Sequence, residues 1–247
     1  MLLPKFDYHE PRTLEEVLLL LSELGGNAKL LAGGTDLLVR MKLNVDRPSH
    51  VISLEKVPGL NEIIPQDRHG VTIGSTTTAA NLAESELIID RFAPLAIASS
   101  RLGAPMIRNR ATIGGNLVNA RPAADLSPAC MVLSANLKIK SLNKDREVLV
   151  NDFFVGPGQT ILDPNELLVS LKIETPPPWT GGSYLKLGAR KALEISMVNV
   201  ACLLTLQSAD GPIVDVRIAL GAVAPTPVRA FAAEEFLIGQ KPSESLF

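Results

Sequence analysis

The run Leu30-Leu31-Ala32-Gly33-Gly34-Thr35-Asp36 constrains the fold more than any other stretch: an apolar segment stops at two glycines and restarts as an amphipathic one through Leu37, Leu38 and Met41. Two adjacent glycines admit positive φ and let main-chain N–H groups converge without Cβ atoms between them. A helix starting at this point adds unpaired donors and the positive end of a dipole. Such a loop suits an anion, and its length suits a diphosphate. The same residues also serve a plain strand-to-helix turn with Thr35 or Asp36 as N-cap. The spacing is neither G-x-G-x-x-G nor the Lys-Ser/Thr ending of a P-loop, so neither nucleotide fingerprint applies.

With 247 residues the chain can bury two or three cores. A net charge of −2 gives nucleic acid nothing to hold, and the pattern shows neither a polybasic cluster nor a membrane-length apolar span. Small molecules or proteins are the expected partners, in the cytoplasm. Cys130 and Cys202 sit singly in apolar runs and read as buried, inert thiols, so this chain alone cannot hold a four-cysteine iron–sulfur cluster. His9, His50 and His69 lie apart, no metal-ligand spacing occurs, and no Ser or Cys occupies a nucleophile elbow. Any enzymatic chemistry here must come from a cofactor.

Thr13-Leu14-Glu15-Glu16 reads as a capping box opening a helix to Leu24, stopped at Gly25-Gly26. Strands are expected at 28–31 and 49–54, so residues 1–58 form a βαβ-like unit. Residues 59–175 read as a second α+β unit with an antiparallel sheet. Its expected parts are a hairpin over 61–74 turning at 67–70, helices over 78–85 and 86–102, the latter interrupted or kinked at Pro94, a buried helix over 128–135, a hairpin over 136–150 turning at 143–146, and a strand at 166–174. The run Pro176-Pro-Pro-Trp-Thr-Gly-Gly predicts a linker. Residues 176–247 then predict strands at 183–187, 196–207 and 213–223 and a last helix over 228–238.

A second glycine stretch, Thr112-Ile113-Gly114-Gly115-Asn116, is followed by Asn119-Ala-Arg-Pro-Ala-Ala-Asp125. It offers main-chain and side-chain donors together with one carboxylate. A long ligand bridging the two units would rest its diphosphate on amides and its hydroxyls on Asp125, which reads equally as the N-cap of a helix from Leu126.

These residues carry a resemblance. Phe6-Asp-Tyr with Pro11-Arg-Thr-Leu-Glu-Glu, Leu31 to Leu38, Ile73-Gly-Ser-Thr-Thr-Thr, Thr112 to Asn116 with Ala124-Asp125, and Leu185-Lys-Leu-Gly-Ala-Arg-Lys with Ser196-Met-Val-Asn-Val resemble, in this order, the flavin-binding subunit of the molybdenum hydroxylases. That group contains xanthine dehydrogenase, carbon monoxide dehydrogenase and 4-hydroxybenzoyl-CoA reductase. The resemblance implies the α+β FAD-binding fold shared with vanillyl-alcohol oxidase (PCMH-type), two subdomains followed by a C-terminal three-stranded antiparallel sheet with a helix.

It also implies a site. Leu31, Ala32, Gly33, Gly34, Thr35, Asp36, Leu37 and Leu38 would wrap the FAD diphosphate, and Thr112, Ile113, Gly114, Gly115 and Asn116 would lie along the cofactor. Asp125 would meet ribityl or ribose hydroxyls, and Leu102, Leu168 and Lys186 would approach the isoalloxazine. Thr35 stands where several relatives carry a tethering histidine, which implies non-covalent FAD. No residue is expected to act as acid or base. The molybdenum cofactor and two-iron clusters would belong to a molybdopterin subunit and an iron–sulfur subunit, in a dimer of heterotrimers, with NAD or a quinone as electron partner. The cysteine-bearing insertion of the 4-hydroxybenzoyl-CoA reductases is missing from this sequence, and the chain ends sooner after its last helix than is usual in this family. A stand-alone flavin oxidoreductase on the same fold, or a scaffold subunit without FAD, are the alternatives.

Overall fold

The computed structural model describes residues 2–67, 69–190, 194–244 and 246. Arg68 of the expected 67–70 turn, Lys191 of the Leu185-to-Lys191 motif and the terminal Phe247 lie outside them. The first layer is a parallel sheet of β1 (Asp7–His9), β2 (Ala28–Leu31) and β3 (His50–Ser53) in the order β1-β3-β2. Parallel neighbours need crossovers, and α1 (Leu14–Leu24) and α2 (Leu37–Lys42) supply them. The capping box forms with a shift. Thr13 Oγ1 accepts the Glu16 N–H, while the Glu16 carboxylate reaches past the cap to the Arg12 N–H at 2.7 Å. Val17, Leu18 and Leu21 of α1 bury against Ala28, Ile52, Leu54 and Leu167.

The second layer is an antiparallel sheet of β4 (Ile63–Pro65), β5 (Val71–Gly74), β6 (Asn136–Lys140), β7 (Asp145–Leu149) and β10 (Leu167–Ile173), ordered β4-β5-β10-β6-β7. Between β5 and β6 run α3 (Ala79–Glu84), α4 (Glu86–Arg91), α5 (Ala93–Arg101), α6 (Pro105–Arg108), α7 (Ile113–Val118) and α8 (Leu126–Val132). Of the interruption or kink expected at Pro94, the structure shows the interruption, which divides 86–102 into α4 and α5. Pro94 sits in the first turn of α5 and supplies no N–H, so the chain breaks at Phe92, whose ring is fully buried. The hairpin turn falls at 141–144, where Ser141 N–H donates to Lys144 O. A short hairpin of β8 (Phe154–Gly156) and β9 (Gln159–Thr160), which the sequence did not announce, follows β7.

The third layer comprises β11 (Thr180–Leu187), β12 (Val198–Leu206), β13 (Ile213–Gly221) and β14 (Val228–Arg229), with α9 (Phe231–Leu237). Two expectations change here. Thr180-Gly-Gly belongs to β11 rather than to a linker, because Gly182 lets the strand approach Pro94 and Cys202, which a Cβ would meet at 2.6 and 2.9 Å. Residues 228–229 leave the expected helix for a fourth strand, since Glu234 binds Arg229 and the Ile218 N–H together and holds that segment on β13. Tyr184, Ala201, Leu203 and Ala219 on the inner face of this sheet join the core of the second layer, while Ile213, Val216 and Leu237 form a small core under α9.

One buried ion pair ties the β8–β9 segment to the main sheet. Arg146 on β7 donates to both oxygens of Glu166 at 2.8 and 2.6 Å and to Ile161 O at 2.9 Å, and Glu166 also accepts the Asp163 N–H. The guanidinium holds the Glu166 carboxyl below its ordinary value of 4.5. The folded protein therefore binds fewer protons here than the unfolded chain as pH falls through 4.5, so the stabilisation is complete above that value and is lost towards the lowered one. Glu166→Gln is expected to destabilise the protein near neutral pH, with a deficit that shrinks as the pH drops below 4.5. Urea titrations of both proteins at several pH values check this, and a deficit independent of pH would contradict it.

Candidate functional site

A groove of about 590 Å³ runs between the first and second layers. One wall is the β2–α2 loop, with Ala32, Gly33, Gly34, Thr35, Asp36 and Leu37. The other holds Leu102, Ile107, Ala111, Thr112, Gly115 and Asn116, and Pro157, Gly158 and Gln159 of the β8–β9 turn close one end. The two walls touch through backbone. A Cβ on Gly33 would lie 1.8 Å from Arg110 O, so only glycine fits. Gly114 plays the matching part on the far side, since its Cβ would lie 2.6 Å from Ser75 O.

The two glycine loops differ in what they leave free. Among the described residues, the backbone N–H groups of Gly33, Gly34, Thr35 and Asp36 find no protein acceptor. Gly34 adopts φ +73°, the left-handed turn that bends successive amides into a concave nest. Leu31 and Leu38 pack behind Gly34 as the floor of the turn. Because α2 has only six residues, its dipole adds little, and the donors this end of the groove can offer an anion are the loop amides. The donors at the start of α7 are already spent. Ile113 N–H donates to Thr77 O, Gly114 N–H to Ser75 O and Gly115 N–H to Thr112 Oγ1. The expectation of a second donor loop is thus corrected: Thr112 to Asn116 build a wall that backbone hydrogen bonds hold in place, with Ile113 fully buried behind it.

Asp125 and Lys186 do not line the groove. Asp125 is 6% exposed and accepts three hydrogen bonds: Tyr184 Oη at 2.6 Å, Ser196 Oγ at 2.9 Å and Lys186 Nζ at 2.9 Å. Lys186 also donates to Glu194 O and Arg101 O. Burial and the adjacent carboxylate push the Tyr184 hydroxyl well above its ordinary range, so it stays a proton donor. This closed network joins α8, β11 and the segment before β12. Asp125 does stand at the N-cap position of α8, but its side chain makes no cap hydrogen bond, and Asn116 Oδ1 accepts the Leu126 N–H. Leu168 lines a separate side pocket and is not on the wall with Leu102.

Sequence reasoning passed over Lys29, Arg40 and Asp46 at one end of the groove. Arg40 and Asp46 form a two-pronged pair at 2.5 and 2.8 Å, which holds the carboxyl below its ordinary range. Lys29 and Arg121 remain as cations along the same walls. Lys29 carries a readable signal, a charged residue alternating with buried Ala28 just before the loop. The lining contains neither His nor Cys, so it offers no ready nucleophile or imidazole base.

Comparison with known proteins decides the family. Residues 4–177 match the FAD binding domain in molybdopterin dehydrogenase, and residues 183–247 match the CO dehydrogenase flavoprotein C-terminal domain. The chain belongs to this family. Relatives include the carbon monoxide dehydrogenase medium chain of Hydrogenophaga pseudoflava, 32% identical over 97% of this chain and 82% of that one. The xanthine dehydrogenase FAD-binding subunit of Escherichia coli O157:H7 is 34% identical over 92% and 77%. The solved carbon monoxide dehydrogenase from Hydrogenophaga pseudoflava superposes with a TM-score of 0.94 at 34% identity, covering 100% of this chain and 84% of that one. Quinoline 2-oxidoreductase from Pseudomonas putida 86 gives 0.92 at 29% identity, covering 100% and 84%.

This flavoprotein is therefore an oxidoreductase component whose cofactor is FAD. The groove fits that group: four unclaimed amides at Gly33 to Asp36 match the acceptor oxygens of a diphosphate, and the long, two-walled shape matches an extended dinucleotide. No helix among the described residues is long and apolar enough to cross a membrane.

The two glycines of the first loop are expected to fail differently when replaced. Gly34→Ala strains one residue at positive φ, a cost of about 1–2 kcal/mol, whereas Gly33→Ala drives the loop off Arg110 and separates the walls. Denaturant unfolding should rank Gly33→Ala as clearly the less stable, and equal, small losses would contradict the backbone contact.

Proposed function

We propose that this flavoprotein is the electron-transfer subunit of a molybdenum hydroxylase complex, passing electrons between the iron–sulfur clusters of one partner subunit and an external acceptor or donor such as NAD or a quinone. A second partner holds the molybdenum cofactor, and the assembly is a dimer of heterotrimers in the cytoplasm. The observation that carries the reading is the set of amides at Gly33 to Asp36, without acceptors among the described residues, facing a groove whose lining holds neither His nor Cys. A subunit of this kind needs to hold and insulate a redox group, and little else. Bound FAD supplies exchange of one or two electrons, which suits a junction between single-electron clusters and a two-electron acceptor.

In this reading the residues divide by task. The amides of Gly33, Gly34, Thr35 and Asp36 bind the diphosphate, with Leu31 and Leu38 fixing their curvature. Thr112, Gly115 and Asn116 shape the opposite wall, Ile113 and Gly114 anchor it, and Leu102 excludes water beside the ring. Asp125 and Lys186 act as positioning residues, since the carboxylate already accepts three hydrogen bonds within the protein. They fix the segment ending at Ser196 and the end of α5 next to Leu102. The units 1–58, 59–175 and 176–247 correspond in this reading to the loop-bearing half, the wall-bearing half and the element that seals them.

Gly115→Val tests the assignment within the assembled complex. The new Cβ meets only Thr112 Oγ1, at 2.8 Å, and loss of that cap costs about 1 kcal/mol, so the chain still folds. The isopropyl group then occupies the groove. We expect a complex lacking flavin in which the organic substrate still bleaches the iron–sulfur absorbance but neither NAD nor quinone is reduced. Undiminished acceptor reduction by a flavin-free complex would overturn the electron-transfer role.

A further inference from the structure

The end of the groove at Leu102 is walled by a chain reversal. Helix α5 ends at Arg101, Gly103 turns at φ +49°, and α6 begins at Pro105. A reversal this tight leaves the last carbonyls of α5 outside the helical ladder. Two cations take them. Lys186 Nζ donates to Arg101 O at 3.4 Å, and Arg108 Nη1 donates to Leu102 O at 3.1 Å. Lys186 also serves Asp125 and Glu194 O. Arg108 forms no ion pair among the described residues, and its guanidinium is given to Leu102. Because α6 has only four residues and no side-chain cap, its own hydrogen bonds hold it weakly, and the guanidinium closes the span from Leu102 to Arg108. Ile107 packs inside that span, where a Cβ on Gly103 would lie 3.2 Å from its side chain. Leu102, 6% exposed, and Ile107 are what the reversal contributes to the groove lining.

We propose that Arg108 is a positioning residue for the flavin: its bond to Leu102 O holds Leu102 and Ile107 as a fixed apolar wall beside the isoalloxazine and keeps water from that face. The proposal rests on the reading that the ring lies beside Leu102. Arg108 itself is outside the groove lining, so it acts through Leu102 and not by touching the cofactor. A hydrogen bond from a charged donor is stronger than one between neutral groups, and here it anchors the near end of a segment whose far end is fixed where Arg110 O meets Gly33. Without the guanidinium, Leu102 O takes water instead, and the reversal opens to admit it. The diphosphate loop lies on the other wall, so different residues bind the flavin and shield it.

The test uses the full chain loaded with FAD, read by the flavin retained after gel filtration, the fine structure of its visible absorption bands, and iodide quenching of its fluorescence. Arg108→Ala is expected to keep its flavin, to lose band structure, and to raise the quenching constant about tenfold, the factor by which loss of a charge-assisted hydrogen bond favours an open wall. Arg108→Lys, which keeps a cation and a donor, should return both signals most of the way to the parent's. Leu102→Ala should raise quenching by itself, and adding Arg108→Ala to it should change little more, because one residue acts through the other. Parent-like signals in Arg108→Ala, loss of its flavin, or fully additive effects in the double variant would overturn the role of Arg108 while leaving the ring beside Leu102. Parent-like signals in Leu102→Ala would overturn that placement and the proposal with it.

Discussion

The structure depends on a contact between two stretches of bare backbone. Gly33 rests on the carbonyl of Arg110 so closely that a single methyl group would part them. The glycine loop after β2 and the segment before α7 come from different layers, each with its own core. The contact is backbone on backbone, with an Arg110–Glu55 ion pair at 3.6 Å beside it. The groove exists because this seam is tight at one line and open on one side of it, and the second tight approach, Gly114 on Ser75, sets the opposite wall. Close packing of backbone leaves little freedom, so a rigid wall stands against a loop with unspent donors.

The donor economy of the two loops follows from what surrounds them. At α7 the neighbouring chain at Ser75 and Thr77 runs close enough to accept the N–H groups, and Thr112 caps the remaining one. After β2 the chain turns away from its sheet at positive φ, and among the described residues no acceptor takes the amides. Residues of the same type therefore end in opposite states, one loop with its donors spent and the other with them free. The buried ion pair of Asp125 and Lys186 has a comparable standing: two charges out of water are tolerated because Tyr184, Ser196 and two carbonyls complete their hydrogen bonds. It seals the third layer onto the second beside the groove.

Much of this was legible in the sequence, for identifiable reasons. Strand β12 alternates buried and half-buried residues along its whole length, and β2 and β5 occupy the residues that their apolar runs predict. The cap at Thr13 and the stop at Gly25 are local chemistry, and local chemistry reads directly. The glycine pairs were visible as loops, but which of them keeps its donors depends on Ser75 and Thr77, more than thirty positions away from α7. The network around Asp125 spans partners 59 to 71 residues apart, beyond any local pattern. The short strand β14 hides in a helical period because a carboxylate five residues beyond it, Glu234, holds Arg229 against β13.

The account stands on the amides of Gly33 to Asp36 holding the diphosphate of a non-covalent FAD. The visible absorption spectrum of the purified chain, repeated on the supernatant after acid precipitation, tests this most directly. Flavin bands in the native protein that move wholly to the supernatant are the predicted result. Bands that remain with the pellet, or a colourless protein that takes up no added FAD, would contradict it.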